Sequence, residues 1–325
     1  MNGPSHICYY FSWSCNSKCL SCNNWMKTGY NELNLSEVKE MFSNPLLQDV
    51  IHVYLTGGEP FLSDKVVDIC KILKDKLDAT ISLNTNGLLP ENVERYSRQV
   101  RDLDLDILSF DLSINGPEEV HNYTRGTPEG YKRLMSSHKA IEKLGIPHSW
   151  NYTIFKHTLP YINWYKHEFL PSEAKTFAFG ISKRALGSPD EALFDFTDAE
   201  LDHIYSECED TSLRAYLKYI KAGGNYLPSC RMGDRQIRID PGGIAYICDI
   251  APVFRAGKVT DLTPETFHHR VKQIKQRCME NCIMEYCIFN FNQLINNWRN
   301  RIIFQPSIYR QLAHSRSTYH KMWRL

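Results

Sequence analysis

A chain of 325 residues exceeds one average domain and can bury a sizeable core. With 42% hydrophobic and 23% charged residues it has the balance of an ordinary globular protein rather than a disordered one. A net charge of +1 gives no overall argument for nucleic acid or an anionic membrane as partner. No apolar run approaches membrane-spanning length, and the amino end lacks the basic-then-apolar layout of a signal peptide, so no membrane partner and a cytoplasmic location are expected.

In chain order, apolar and β-branched runs alternate with helical patterns. Strands are expected at about 6–12, 50–56, 79–85, 105–113, 147–155 and 175–182. Ser36 is the expected N-cap of a helix carrying Val38, Met41 and Phe42. Ser63 is that of a helix presenting Val66, Val67, Ile69, Cys70, Leu73 and Leu77 on one face. Six strands each followed by a helix imply parallel crossover units, hence an α/β fold with a helix-covered parallel sheet. Periodicity does not choose between a partial barrel and an open sheet, but either places the chemistry in loops after the carboxyl ends of the strands. Residues 191–228 read as a polar helical bridge closed by Ala222-Gly223-Gly224-Asn225. Gln236 to Asp240 and Ile244 to Cys248 then alternate around Pro241-Gly242-Gly243, a β-hairpin.

Eleven cysteines in a reducing compartment read as metal ligands or reactive thiols, not as a disulfide scaffold. Cys8, Cys70 and Cys208 stand singly and are expected to be buried and inert. Cys15, Cys19 and Cys22 form a CxxxCxxC pattern directly after the first strand, while Cys230, Cys248, Cys278, Cys282 and Cys287 gather in the last third. Three sulfurs within eight residues can curl round one metal centre if the backbone between them is a loop, and Asn16, Ser17 and Ser21 are loop formers. Soft sulfur selects zinc, copper(I) or iron–sulfur clusters. Three readings stay open on the residues alone: structural zinc with a fourth ligand from His6 or Cys8, three unrelated thiols, or a 4Fe-4S cluster with one open iron.

The expected carboxyl ends carry further motifs. Thr56-Gly57-Gly58-Glu59-Pro60 follows strand two, its glycines permitting close backbone approach and Glu59 accepting hydrogen bonds. Asn84-Thr85-Asn86-Gly87 follows strand three. Ser113-Ile114-Asn115-Gly116-Pro117 follows strand four, with His121-Asn122-Tyr123-Thr124-Arg125-Gly126 shortly after. Lys183 and Arg184, after strand six, are candidates for substrate anions or hydroxyls, against a reading as solvated loop charges. From Tyr286 onward the chain has no acidic residue, and its basic side chains interleave with Trp298, Phe304, Tyr309, Tyr319 and Trp323. Such a tail could bind nucleic acid, but an amphipathic helix docking on the fold is the favoured reading.

The cysteine loop, Gly57-Gly58-Glu59 and the Ser113 to Arg125 segment resemble, in order, the radical S-adenosylmethionine (SAM) superfamily. The C-terminal cysteines around the hairpin resemble that superfamily's SPASM/twitch extension, in its single-cluster twitch form. The resemblance implies a partial (β/α)6 TIM-type barrel over 1–190, a helical bridge over 191–228, a small auxiliary iron–sulfur domain over 229–298 and a C-terminal tail or helix over 299–325. It implies a SAM-binding 4Fe-4S cluster on Cys15, Cys19 and Cys22. SAM would be held by Gly57, Gly58, Glu59, Asn84, Asn86, Ser113 and Arg125, the last pairing with its carboxylate. One auxiliary 4Fe-4S cluster would take its ligands from Cys230, Cys248, Cys278, Cys282 and Cys287. The surplus leaves one of Cys248, Cys278, Cys282 or Cys287 as a candidate hydrogen-atom donor, or leaves the auxiliary cluster with an open iron, against a bystander thiol. Where the family has an aromatic before its third cysteine this chain has Ser21, leaving Trp25 or Tyr10 to supply a ring for the adenine.

The chemistry so implied is one-electron reduction of SAM by the cluster, fed by an external donor such as flavodoxin or ferredoxin, and hydrogen abstraction by a 5'-deoxyadenosyl radical. With Cys15 so near the amino end, no leader-peptide recognition domain is expected upstream. That tilts the substrate toward a small polar sugar, aminocyclitol or nucleoside-like molecule, in oxidation, epimerisation or elimination within natural-product or antibiotic biosynthesis. A ribosomal-peptide maturase is the runner-up. A non-catalytic iron–sulfur or zinc protein is the alternative of another class, for which Gly57, Gly58, Glu59 and Arg125 would have no purpose.

Overall fold

The computed structural model describes residues 3–105, 107–169, 177–180, 191–207, 217, 233–247 and 254–280. Among these residues nine strands form one sheet. They are β1 (His6–Tyr10), β2 (His52–Thr56), β3 (Thr80–Thr85), β4 (Ile107–Ile114), β5 (His148–Thr153), β6 (Phe177–Gly180), β7 (Gln236–Ile239), β8 (Ile244–Tyr246) and β9 (Arg255–Lys258), in the order β6-β5-β4-β3-β2-β1-β7-β8-β9. All six expected strands are present, and β1 to β6 pair in parallel, each with its neighbours in sequence. Crossovers of one hand between successive neighbours place every connecting helix on the same face of the sheet. That order is the winding of a partial barrel, which periodicity alone left undecided. The seam does not close on β6. Instead β1 takes β7 as a parallel partner, with Ile7 opposite Ile237, so the hairpin extends the barrel sheet itself.

The connecting helices are α1 (Leu35–Phe42), α2 (Val66–Leu77), α3 (Pro90–Asp102), α4 (Glu118–Arg125) and α5 (Gly130–Lys143); α6 (Asp198–Glu207) and α7 (Pro264–Glu280) come later. After β5 the chain departs from the simple strand-then-helix expectation, making short turns that end in a π-helical segment, Trp164–Phe169. Two expected caps are corrected. α1 is capped by Asn34, whose side chain accepts from the amides of Ser36 and Glu37 while Glu37 accepts from Asn34 N, a reciprocal capping box with Ser36 already inside the helix. α2 starts at Val66 behind Lys65, and Ser63 Oγ accepts from Lys65 N, holding the preceding turn rather than the helix.

The strands sort their residues by parity. Ile7 and Tyr9, Val53 and Leu55, Ile81 and Leu83, Phe110 and Leu112, and Trp150 and Tyr152 join one buried cluster with Val38, Met41, Ile69, Leu73, Val93 and Leu134 from the helices. The alternate residues occupy the opposite face. There they form polar cross-strand contacts: His52 Nδ1 with Thr80 Oγ1 at 3.0 Å, Ser82 with Ser109 at 3.4 Å, and Ser149 Oγ donating to Asp111. The helix-facing layer supplies the hydrophobic stabilisation, about 1.5–3 kcal/mol for each fully buried aliphatic or aromatic side chain. The inner layer is a polar lumen. Cys8 and Cys70 are buried as expected, burial pushing the Cys70 thiol up to about 12, whereas Cys208 lies outside the described residues. No described helix is long and apolar enough to cross a membrane.

Candidate functional site

β1 ends at Tyr10, two residues before its expected end, because the next segment turns its carbonyls toward the loop after β2. Gly58 N donates to Ser12 O and Glu59 N to Ser14 O, each at 2.8 Å. The approach is so close that a Cβ on Gly58 would stand 2.0 Å from Ser14 O, and one on Gly57 would stand 2.3 Å from Ser12 O. Only glycine fits at either position.

The cysteine loop beyond this contact lies on the end of α4. Lys18 N and Ser17 Oγ donate to Arg125 O and Leu20 N to Thr124 O, so the loop satisfies carbonyls that the helix end leaves open. Gly126, left-handed at φ 60°, ends the helix where a Cβ would meet Lys18 O at 2.8 Å. Trp25 Nε1 donates to Cys19 O, bracing the loop from the other side. Tyr10, the other candidate adenine ring, packs on Trp13 at 5.0 Å.

Each thiol faces a donor. Ser17 Oγ is 3.0 Å and Arg125 Nη1 3.5 Å from Cys19 Sγ, Asn24 N is 3.4 Å from Cys22 Sγ, and Asn86 Nδ2 is 3.9 Å from Cys15 Sγ. Burial pushes the Cys15 thiol up to about 12 and the Cys22 thiol up to about 11, so a cation must displace their protons. Three clustered thiols with donors aimed at sulfur suit a soft metal centre, zinc or an iron–sulfur cluster.

Glu59 is buried and fully engaged. Its carboxylate accepts from Phe61 N at 3.0 Å, Thr85 Oγ1 at 2.7 Å and Asn86 N at 2.7 Å. Burial raises its pKa, against the pull of these three bonds. It therefore joins the loops after β2 and β3. Asn86 passes the order on, donating to Asn16 Oδ1 at 2.9 Å inside the cysteine loop. Ser113 Oγ donates to Asn84 Oδ1 at 3.4 Å, bringing the expected residues of β3 and β4 together.

Arg125 Nη2 donates to Asn115 Oδ1 at 3.2 Å, and Asn115 is held by Thr124 Oγ1 and by His121 Nδ1. Arg125 Nε is buried without a hydrogen-bond partner. A buried donor left open beside three sulfurs and a glycine cradle fits an anionic ligand such as the carboxylate of SAM.

Sequence reasoning took Asn16 and Ser17 only as loop formers and Asn115 and Thr124 only as parts of motifs, and it missed Asn24, whose side chain donates to Gly57 O at 3.2 Å. It also missed Arg238 of β7, whose guanidinium lies over Tyr10 at 4.7 Å, Tyr246 at 5.1 Å and Trp13 at 5.4 Å. Its alternation with Ile237 and Ile239 was the available signal. Lys183, Arg184, Cys230, Cys248, Cys282, Cys287 and the basic tail lie outside the described residues. Cys278 falls in α7, with its side chain likewise outside them.

Residues 9–164 match the profile of the radical SAM superfamily. A probable GTP 3',8-cyclase of Methanococcus maripaludis is 31% identical over 134 residues, 40% of this chain and 41% of that protein. The GTP 3',8-cyclase of Limosilactobacillus fermentum is 31% identical over 34% of each chain. The chain thus spans well under half the length of these curated relatives. Among solved structures, native anSMEcpe with bound AdoMet superposes with a TM-score of 0.62 at 18% identity, over 84% of this chain and 82% of that one. Streptococcus suis SuiB bound to its precursor peptide SuiA gives 0.57 at 15%, over 76% and 60%. These last two speak for the fold. The profile opens within β1, closes beyond β5 and takes in the whole cysteine mouth, so the likeness to the radical SAM superfamily is carried by the barrel strands and the loops at their carboxyl ends.

Proposed function

We propose that the chain reductively cleaves SAM and uses the resulting 5'-deoxyadenosyl radical to take a hydrogen atom from a small polar substrate. The carrying observation is the convergence of donors on Cys15, Cys19 and Cys22 beside the open Nε of Arg125. The cluster would supply the electron and an open iron. Of the chain's own residues, Gly57 and Gly58 bring backbone to the mouth, Arg125 offers its guanidinium to a carboxylate, and Glu59 and Asn86 fix the loops between them. Asn84 and Ser113 stand at the strand ends for SAM's polar groups.

The polar lumen formed by β2 to β5 supports a polar substrate, and the names of the GTP 3',8-cyclase relatives favour the nucleoside-like end of that class over a sugar or aminocyclitol. A peptide maturase is the second reading, drawn from the likeness to peptide-bound structures. An auxiliary 4Fe-4S cluster on four of Cys230, Cys248, Cys278, Cys282 and Cys287, and reduction by a flavodoxin or ferredoxin, complete the proposal. The test is anaerobic reconstitution, followed by iron counting and electron paramagnetic resonance with and without SAM. We expect about eight irons per chain, falling to about four in the Cys15/Cys19/Cys22→Ala variant with loss of the SAM-sensitive signal. Zinc without iron, or a signal indifferent to SAM, would overturn the reading. Deuterium transfer into 5'-deoxyadenosine from labelled nucleotides, but not peptides, would fix the substrate class.

A further inference from the structure

Away from the cysteine mouth, at the amino end of β5, three potential ligands meet. His138 and Glu142 stand one turn apart on α5, and His148 opens β5. His138 Nε2 lies 2.9 Å from His148 Nε2 and 3.6 Å from Glu142 Oε1. All three ligand atoms fall within 4.8 Å of one another, the one such trio among the described residues.

The two imidazoles are held for ligation. His148 Nδ1 is 3.2 Å from Ile146 O, so Nδ1 carries the proton and donates, and the His148 Nε2 lone pair accepts from His138 Nε2–H at 2.9 Å, a proton that moves to His138 Nδ1 when an ion takes its place. A backbone carbonyl fixing the tautomer from behind is the usual support of a metal-bound histidine. The Trp150 ring packs on His138 at 4.8 Å and holds its plane.

We propose that His138, Glu142 and His148 form a site for one divalent transition-metal ion of the zinc class, with a further position open to water. Two imidazoles and a carboxylate without sulfur suit zinc, nickel or cobalt rather than an iron–sulfur cluster. Metal–nitrogen bonds of about 2.0–2.1 Å set tetrahedral ligands about 3.3 Å apart, so the rings part by a few tenths of an ångström. The exposed Glu142 swings in from the solvent side. A bound ion would tie the last turn of α5 to the first residue of β5 across the connection at 144–147, far along the strand from the cysteine loop. Its role is a brace, not the radical chemistry.

The test is zinc and iron counting on cluster-loaded, desalted protein after exposure to zinc alone. Wild type should hold about one zinc per chain more than His148→Ala and His138→Ala/His148→Ala, with iron unchanged. The Cys15/Cys19/Cys22→Ala variant should keep that zinc while losing iron, which separates this site from the cluster. Glu142→Gln, at an exposed position that cannot disturb the core, should weaken zinc binding roughly tenfold. It should leave the zinc-free melting temperature unchanged. Equal zinc in wild type and the histidine variants, or zinc lost only with the cysteines, would overturn the proposal and leave a plain histidine pair.

Discussion

Glu59 illustrates how one side chain orders a mouth it need not line. Three donors converge on its two oxygens: Thr85 Oγ1 and Phe61 N on one, Asn86 N on the other. In Glu59→Gln an amide NH2 must replace one oxygen and face a donor, an unsatisfied buried contact costing about 1–3 kcal/mol. We expect a denaturation midpoint lowered accordingly and poorer iron retention, because Asn86 would lose its anchor while it holds Asn16. Arg125→Lys should behave differently. A lysine keeps the charge but not the planar fork, so SAM affinity should fall roughly tenfold or more, in equilibrium binding, with iron content preserved.

The elements meet through glycine contacts that local sequence displays but cannot explain. Gly58→Ala places a methyl 2.0 Å from a backbone oxygen, so the strand-to-loop contacts at Ser12 and Ser14 must break. We expect a loss of about 2 kcal/mol or more and failure to hold the first cluster. Gly29→Ala, at φ 68° with nothing within 4 Å, should cost only about 1 kcal/mol of backbone strain and leave the cluster in place. Thermal melts and iron counts of the two variants check the contrast. Much of this level was legible. The strand runs, the CxxxCxxC loop and the GGE turn are local signals, and each fell where expected. Helix starts were less so: Asn34-Leu35-Ser36-Glu37 holds two cap-forming residues, and only the reach of Glu37 back to Asn34 N decides between them. Pairs such as Lys18 with Arg125, Asn86 with Asn16 and Arg125 with Asn115 join separate loops, and no local pattern encodes them.

For the whole molecule, the partly buried His6 and the buried His121 shape the response to acid. Burial, with Arg235 nearby, lowers His6 from 6.5 to about 4, and burial beside Arg125 lowers His121 to about 3. Between pH 6.5 and 4 the unfolded chain therefore binds protons that the native state refuses, so stability is full above 6.5 and drains away as pH falls. His6→Gln should flatten that loss by roughly 1 kcal/mol per pH unit, read from urea midpoints between pH 7 and 5.

The placement of β7 beside β1 also has a temporal side. β1 can pair with β2 as soon as the first fifth of the chain is made, but its other edge waits for residues more than two hundred positions later. Closing so long a loop before the contact repays it slows folding. Until then β1, the strand that leads into the cysteine loop, presents an open row of amides and carbonyls to any neighbouring chain. During synthesis the cysteine loop is complete long before its parent strand is sealed, so that edge stays open while the intervening chain is made.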